Sequence, residues 1–179
     1  MNSSQYPGVI GQTLNGASFE AIDEELSLWL ASALSFPRKM VMPSWMQDRT
    51  KAPDFKDCCF FSVGNFKRAG DYVEKDSDES STIRYNGQLE VVVRIYGPNV
   101  RSNALLLCDT FAVNQNCEAL HKKLGLGYVE CTLEGPALEP VGNTFRQFAD
   151  VTIVFNFSYT RTWSICSIAS ENLVLHVNR

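Results

Sequence analysis

The sequence predicts an α+β protein, with a single mixed or antiparallel sheet of long strands and two or three helices packed on one face. Two long stretches of strict alternation and one amphipathic helix point to this class. In Ser81 to Gly97, residues Ile83, Tyr85, Leu89, Val91, Val93 and Ile95 fall on odd positions. Thr82, Arg84, Asn86, Gln88, Glu90 and Arg94 fall on even ones, the period of a strand with one face on a core and one in water. The second alternating run spans Phe145 to Ile165, with Val151, Ile153, Phe155, Phe157, Tyr159, Trp163 and Ile165 on one face. Asp150, Thr152, Asn156, Ser158 and Thr160 occupy the other face, and the length suggests a break near Arg161. The helix is Ser18 to Leu34, where Phe19, Ile22, Leu26, Trp29, Leu30 and Ala33 share one side.

The elements follow in order. Met1 to Gly16 is rich in Gly, Ser and Asn, and reads as an extended arm or a floppy terminus. Tyr6, Val9, Ile10 and Leu14 give an arm something to bury on a neighbouring subunit. In the first helix, Glu20, Asp23, Glu24 and Glu25 crowd the start, where the helix dipole favours anions. These acids suit a helix lying over a sheet better than they suit chemistry. Phe36-Pro37 ends the helix and Lys39 to Met42 fits a short strand. Ser44 to Lys56 is polar and bounded by prolines, with Trp45 and Met46 inside it. It is either an interface loop anchored by that pair or a loop tucked over the core. Cys58 to Lys67 reads as a strand. The acidic stretch Asp71 to Ser81 carries five acids and one base, a net of −4 that equals the charge of the whole chain. It is expected to be a solvated, flexible loop at a hairpin tip, and lacks the loop Gly and terminal Glu of a calcium-binding EF-hand.

Gly87, in the middle of the first long strand, suits a bulge or the close approach of another backbone. That strand stops at Gly97-Pro98. Asn99 is placed to cap a helix whose stripe is Ala104, Leu107, Cys108 and Phe111. A further helix, Asn116 to Leu124, ends on Gly125 as a left-handed cap, with Lys122 and Lys123 in its last turn. In Leu126 to Leu133, Val129, Cys131 and Leu133 alternate against Tyr128, Glu130 and Thr132. Gly135-Pro136 to Gly142 reads as a turn-rich link, and Leu173 to Val177 as a last edge strand.

The bulk numbers narrow the function classes. A chain of 179 residues buries roughly 70% of its unfolded surface, enough for one self-sufficient domain. The net charge of −4 argues against a direct grip on nucleic acid, whose binders need a basic excess. The longest apolar run, Ala104 to Cys108, is far too short to span a membrane. No signal peptide is visible. The six cysteines form no C-x-x-C and read as reduced, mostly buried small hydrophobes. Cys58 and Cys59, being adjacent on a strand, point to opposite faces. The sequence holds no G-x-S-x-G, P-loop or H-E-x-x-H. G-L-G-Y at 125–128 follows a helix and precedes a strand, the reverse of a dinucleotide site. His121 and His176 are too few for a His-based metal site. The expectation is a binding protein, not an enzyme, with no cofactor and no metal.

The run R-Y-N-G-Q-L-E-V-V-V-R-I-Y-G-P-N-V and the small-residue helix after it resemble the phage neck and tail terminator proteins. F-R-Q-F-A-D-V-T-I-V-F-N-F-S-Y at 145–159 resembles that family's second long strand. The likeness runs from about Glu20 to Thr162. It implies a virion protein, assembled in the host cytoplasm, that forms a homo-oligomeric ring, usually of six copies, at the head-proximal end of a tail. It further implies that this ring halts tail-tube polymerisation and docks the head connector. The implied partners are the tail-tube protein and the head-completion or connector protein, with a sheath as a further candidate. DNA would pass through without specific binding, and no membrane is involved. The chain departs from the family pattern in its N-terminal arm, 1–17, and in its acidic loop, 71–81; the domain proper is 18–179. Contacts are expected from the arm (Tyr6, Ile10), from Trp45 and from the acidic stretch (Asp71, Glu74, Asp76, Asp78, Glu79). The even face of the central strand (Arg84, Glu90, Arg94) is the remaining candidate. The rivals are another head–tail adaptor, a tube protein, which would polymerise alone into long tubes, and a small ligand-binding or enzymatic domain.

Overall fold

The computed structural model of the chain describes residues 12–15, 18–45, 56–70, 72–77, 80–141 and 143–164. Two strands form its axis. β5, Ser80–Tyr96, and β7, Thr144–Ser164, pair antiparallel along the whole of β5. On the far side of β5 lie β3 (Cys58–Arg68) at one end and β4 (Val73–Asp76) at the other. On the far side of β7 lie β6 (Gly127–Val141) and β1 (Gln12–Asn15), again end to end. β2, Val41–Pro43, closes the edge beyond β3 and makes the parallel pair of this mixed sheet. The sheet is therefore five strands wide at one end, β2-β3-β5-β7-β6, and four wide at the other, β4-β5-β7-β1.

Three helices cover one face at the wide end. They are α1 (Phe19–Ala33), α2 (Val100–Thr110) and α3 (Asn114–Leu124). Ile22, Leu26 and Leu30 of α1, Ala104 and Leu107 of α2, and Leu120 and Leu124 of α3 meet the odd-numbered side chains of β5 and β7. Those strand residues, Leu89 to Ile95 and Ala149 to Phe157, are at most 5% exposed. Ser18 caps α1 by accepting the Ala21 N–H at 3.2 Å. Gly125 ends α3 with φ of 71°, a left-handed position that glycine takes without strain. Cys59 joins this main core, whereas Cys58 points to the opposite face and packs with Met40 and Tyr96.

Several elements depart from the alternation and turn signals. β6 runs through Gly135-Pro136 to Val141 where a turn-rich link was expected. A register shift between Glu134 and Ala137 accommodates the proline, which has no N–H to offer a ladder, and Gly135 takes φ of 106° there. A second shift between Tyr128 and Glu130 puts Tyr128 on the helix face with Cys131, not opposite it. Tyr128 stacks on Phe111 with ring centroids 4.7 Å apart, and Val129 is left exposed. β7 continues unbroken past Arg161, because β5 and β1 pair with it on both sides. Phe19, at the first turn of α1, is 46% exposed and lies off the apolar stripe. Asn99 caps no amide with its side chain. Instead Asp57 accepts the Asn99 backbone N–H at 3.1 Å and its side-chain amide at 2.8 Å. The edge strand expected at Leu173 to Val177 and the body of the N-terminal arm lie outside the described residues.

Candidate interaction surfaces

The helix layer ends near Phe157, and β4, β1 and the adjoining halves of β5 and β7 continue beyond it as a tongue. On its helix-side face runs an aromatic row. Tyr85 stacks on Tyr159 at 5.0 Å, Phe66 meets Tyr159 at 5.3 Å, and Arg68 lies 4.4 Å over Tyr85. The other face is polar: Thr82 bonds Thr162 at 3.2 Å and Arg84 donates to Ser158 at 3.3 Å. The acidic stretch lies here and is in part strand. Val73–Asp76 pairs with Ser81–Arg84, while Ser77 donates its N–H to the Ser80 carbonyl at 2.8 Å. Backbone pairing with the long β5 supplies the order that its charge pattern did not suggest. Glu74 accepts from the Ser81 hydroxyl at 3.0 Å, and Asp76 is exposed. Asp71, Asp78 and Glu79 fall outside the described residues, as do Tyr6 and Ile10.

At the wide end the helix-free face carries a half-buried network. Arg94 grips Asp150 on the neighbouring strand with two bonds of 2.7 Å and lies 4.4 Å over Phe148. The bidentate bond holds the Arg94 guanidinium charged well above its already high range. Tyr96 donates its hydroxyl to Glu139 at 2.7 Å, and Arg146 covers its ring at 4.4 Å. Burial, helped by that bond, pushes the Tyr96 phenol up. Of the three even-face residues expected to make contacts, Arg94 thus holds strands together, whereas Arg84 and Glu90 stand further along the same face.

Two apolar features flank the sheet. Trp45, just beyond β2, is 66% exposed and donates its indole N–H to Asp23 at 3.1 Å. It rims a groove of about 560 Å³ between α1 and β2, lined by Val41, Met42, Pro43 and Ser27. Burial there pushes the Asp23 carboxyl up, against the pull of the Trp45 bond. At the opposite edge, the β6–β7 hairpin extends past the end of β5, with Leu138 61% and Phe145 73% exposed. The sequence reading missed this tip; its signal was Gly142-Asn143 set between apolar residues. Asp57, Glu139 and Phe148 were missed too, since their partners are distant in the chain.

Among the described residues no group of His, Cys, Asp and Glu is placed to hold a metal ion, and no helix is long and apolar enough to cross a membrane. No curated protein matches the chain. The profile of the phage neck terminator protein matches residues 20–176, a span holding every described strand but β1, both later helices and all of α1 but its first residue. The chain belongs to the phage neck terminator family and is a structural protein of the bacteriophage neck.

Proposed function

We propose that this protein forms a closed ring on the last ring of the tail tube, stops tube growth with one face and docks the head connector with the other. The observation that carries this is the family match over residues 20–176. The surfaces described above support it. Among the described residues no helix covers the tongue, and a sheet buries an apolar face only against another surface, so the tongue suits docking on a neighbouring ring. Its β4 edge carries the exposed acids Glu74 and Asp76, and Arg84 and Glu90 extend the charged surface along β5. Interfaces of this kind draw their energy from buried apolar anchors and their register from charge.

Electron microscopy of lysates from a phage lacking this gene tests the proposal. The expected result is full heads separated from tails, with tails irregular in length or lacking their end. Heads and tails joined at normal length would overturn it; complete absence of tails would favour a tube protein instead.

A further inference from the structure

Two thiols meet where α2 crosses the β6 edge. Cys108 lies in the last turn of α2, one position round from the fully buried Leu107, and sits at the rim of the core. Cys131 lies on β6 opposite Ile153, a core residue of β7, and so turns toward the helices. The bulge between Tyr128 and Glu130 is what aims it. Carried on from Tyr128 by strict alternation, Cys131 would point away from the helices. The two residues are 23 apart in the chain, yet their sulfurs lie 3.3 Å apart. A disulfide bond is about 2.05 Å long, so closing the gap asks for about 1.3 Å of movement between a helix end and an edge strand. Both thiols are half-buried, and among the described residues β6 has a strand on one side alone, which leaves an approach from its open edge. The other described cysteines differ. Cys58 and Cys59 are fully buried, and Cys117 gives its thiol to the Phe111 carbonyl at 3.4 Å.

We propose that Cys108 and Cys131 form a redox-sensitive modification site, which a small disulfide of the glutathione class oxidises to an intramolecular disulfide tying α2 to the β6 edge. The order of events follows from the contact. Cys131 donates its S–H to the Cys108 sulfur, and burial pushes the Cys131 thiol up, so Cys131 keeps its proton longer. Cys108 therefore reacts first. Its thiolate attacks one sulfur of the small disulfide, the S–S bond breaks, and one small thiol leaves. Cys131 then gives up its proton and attacks the Cys108 sulfur, expelling the second small thiol. In sum the two protein thiols lose two hydrogens, which end on the two small thiols. The bond closes a loop that contains all of α3 and its Gly125 cap, so it fixes both later helices to the sheet edge. Reducing surroundings such as a cytoplasm keep the pair as thiols, and the oxidising exterior that a released particle meets favours the bond.

The test treats the native full chain with oxidised glutathione at about pH 8, blocks the remaining thiols and digests with trypsin without reduction. Cleavage after Arg101, Lys122, Lys123 and Arg146 leaves Cys108 and Cys117 on one peptide and Cys131 on another. The expected product is these two peptides joined, from a protein lighter by two hydrogens and melting roughly 5–10 °C higher. Cys117→Ser should keep the link and the shift, and there Cys108 is the one cysteine left on its peptide. Cys108→Ser and Cys131→Ser should each lose both. Each variant is read with and without the oxidant, which separates the bond from any change in the fold. Where a serine at 108 or 131 weakens folding, wild type and Cys117→Ser decide the point by themselves. Unlinked peptides from oxidised wild type, a link that is lost in Cys117→Ser, a glutathione adduct that Cys131 fails to displace, or a bonded protein that melts no higher would each overturn the inference. None of these outcomes bears on the ring reading.

Discussion

Individual side chains in this protein are set by how closely strands and helices approach. A Cβ on Gly87 would collide with the Lys67 carbonyl and with the Phe66 ring, the latter at 2.7 Å. Gly87→Ala is therefore expected to lower stability by about 1–3 kcal/mol, measured by urea denaturation. The thiols give a pH signature. Burial raises Cys59 and Cys131 from an ordinary value of 9.0, and Cys131 also sits 3.3 Å from the Cys108 sulfur. Both stay neutral in the fold and ionise in the unfolded chain. Their contribution is thus complete below pH 9 and declines as pH rises beyond it. Thermal melts should be level from pH 6 to 8 and fall above about 9, with a shallower fall in Cys59→Ala. A melting temperature that climbs above pH 9 would contradict this assignment.

At the scale of elements, the pairing of β5 with β7 is the spine. Asp150→Asn removes the charge from the Arg94 bridge, which is 41% and 18% exposed at its two side chains. A loss of about 1 kcal/mol is expected in chemical denaturation, since solvent screens the arginine end. By contrast, Ile153→Ala empties a fully packed position under the helices and should cost about 2–5 kcal/mol. The two long strands and α1 were legible in the sequence because a period of two or of 3.6 is written directly in the apolar residues. β6 was legible only to Leu133, because its bulges break the period at Val129 and at Gly135-Pro136. β4 was hidden for a different reason. Its residues are all exposed, so its strand is dictated by the β5 backbone and not by burial. The candidate surfaces were partly visible in the sequence. Trp45 and the acidic stretch stood out by composition, whereas Leu138 and Phe145 looked like ordinary strand residues until the tip was seen to outrun β5.

On the scale of the whole molecule, the helices among the described residues cover the sheet at one end and not at the other. That asymmetry suits the task proposed above, contacts with the next ring at the tongue. Glu74→Gln with Asp76→Asn alters only exposed side chains, so its melting should stay within about 0.5 kcal/mol of wild type. The same double variant should still form rings yet give fewer joined heads and tails in infected lysates, counted by electron microscopy. The measurement closest to the central claim is the length of tail tubes assembled in solution, with and without this protein. Purified tube protein should polymerise to shorter tubes as the protein is added, with a single ring capping one end. Tubes of unchanged length with bare ends, or long tubes built from this protein by itself, would contradict the account.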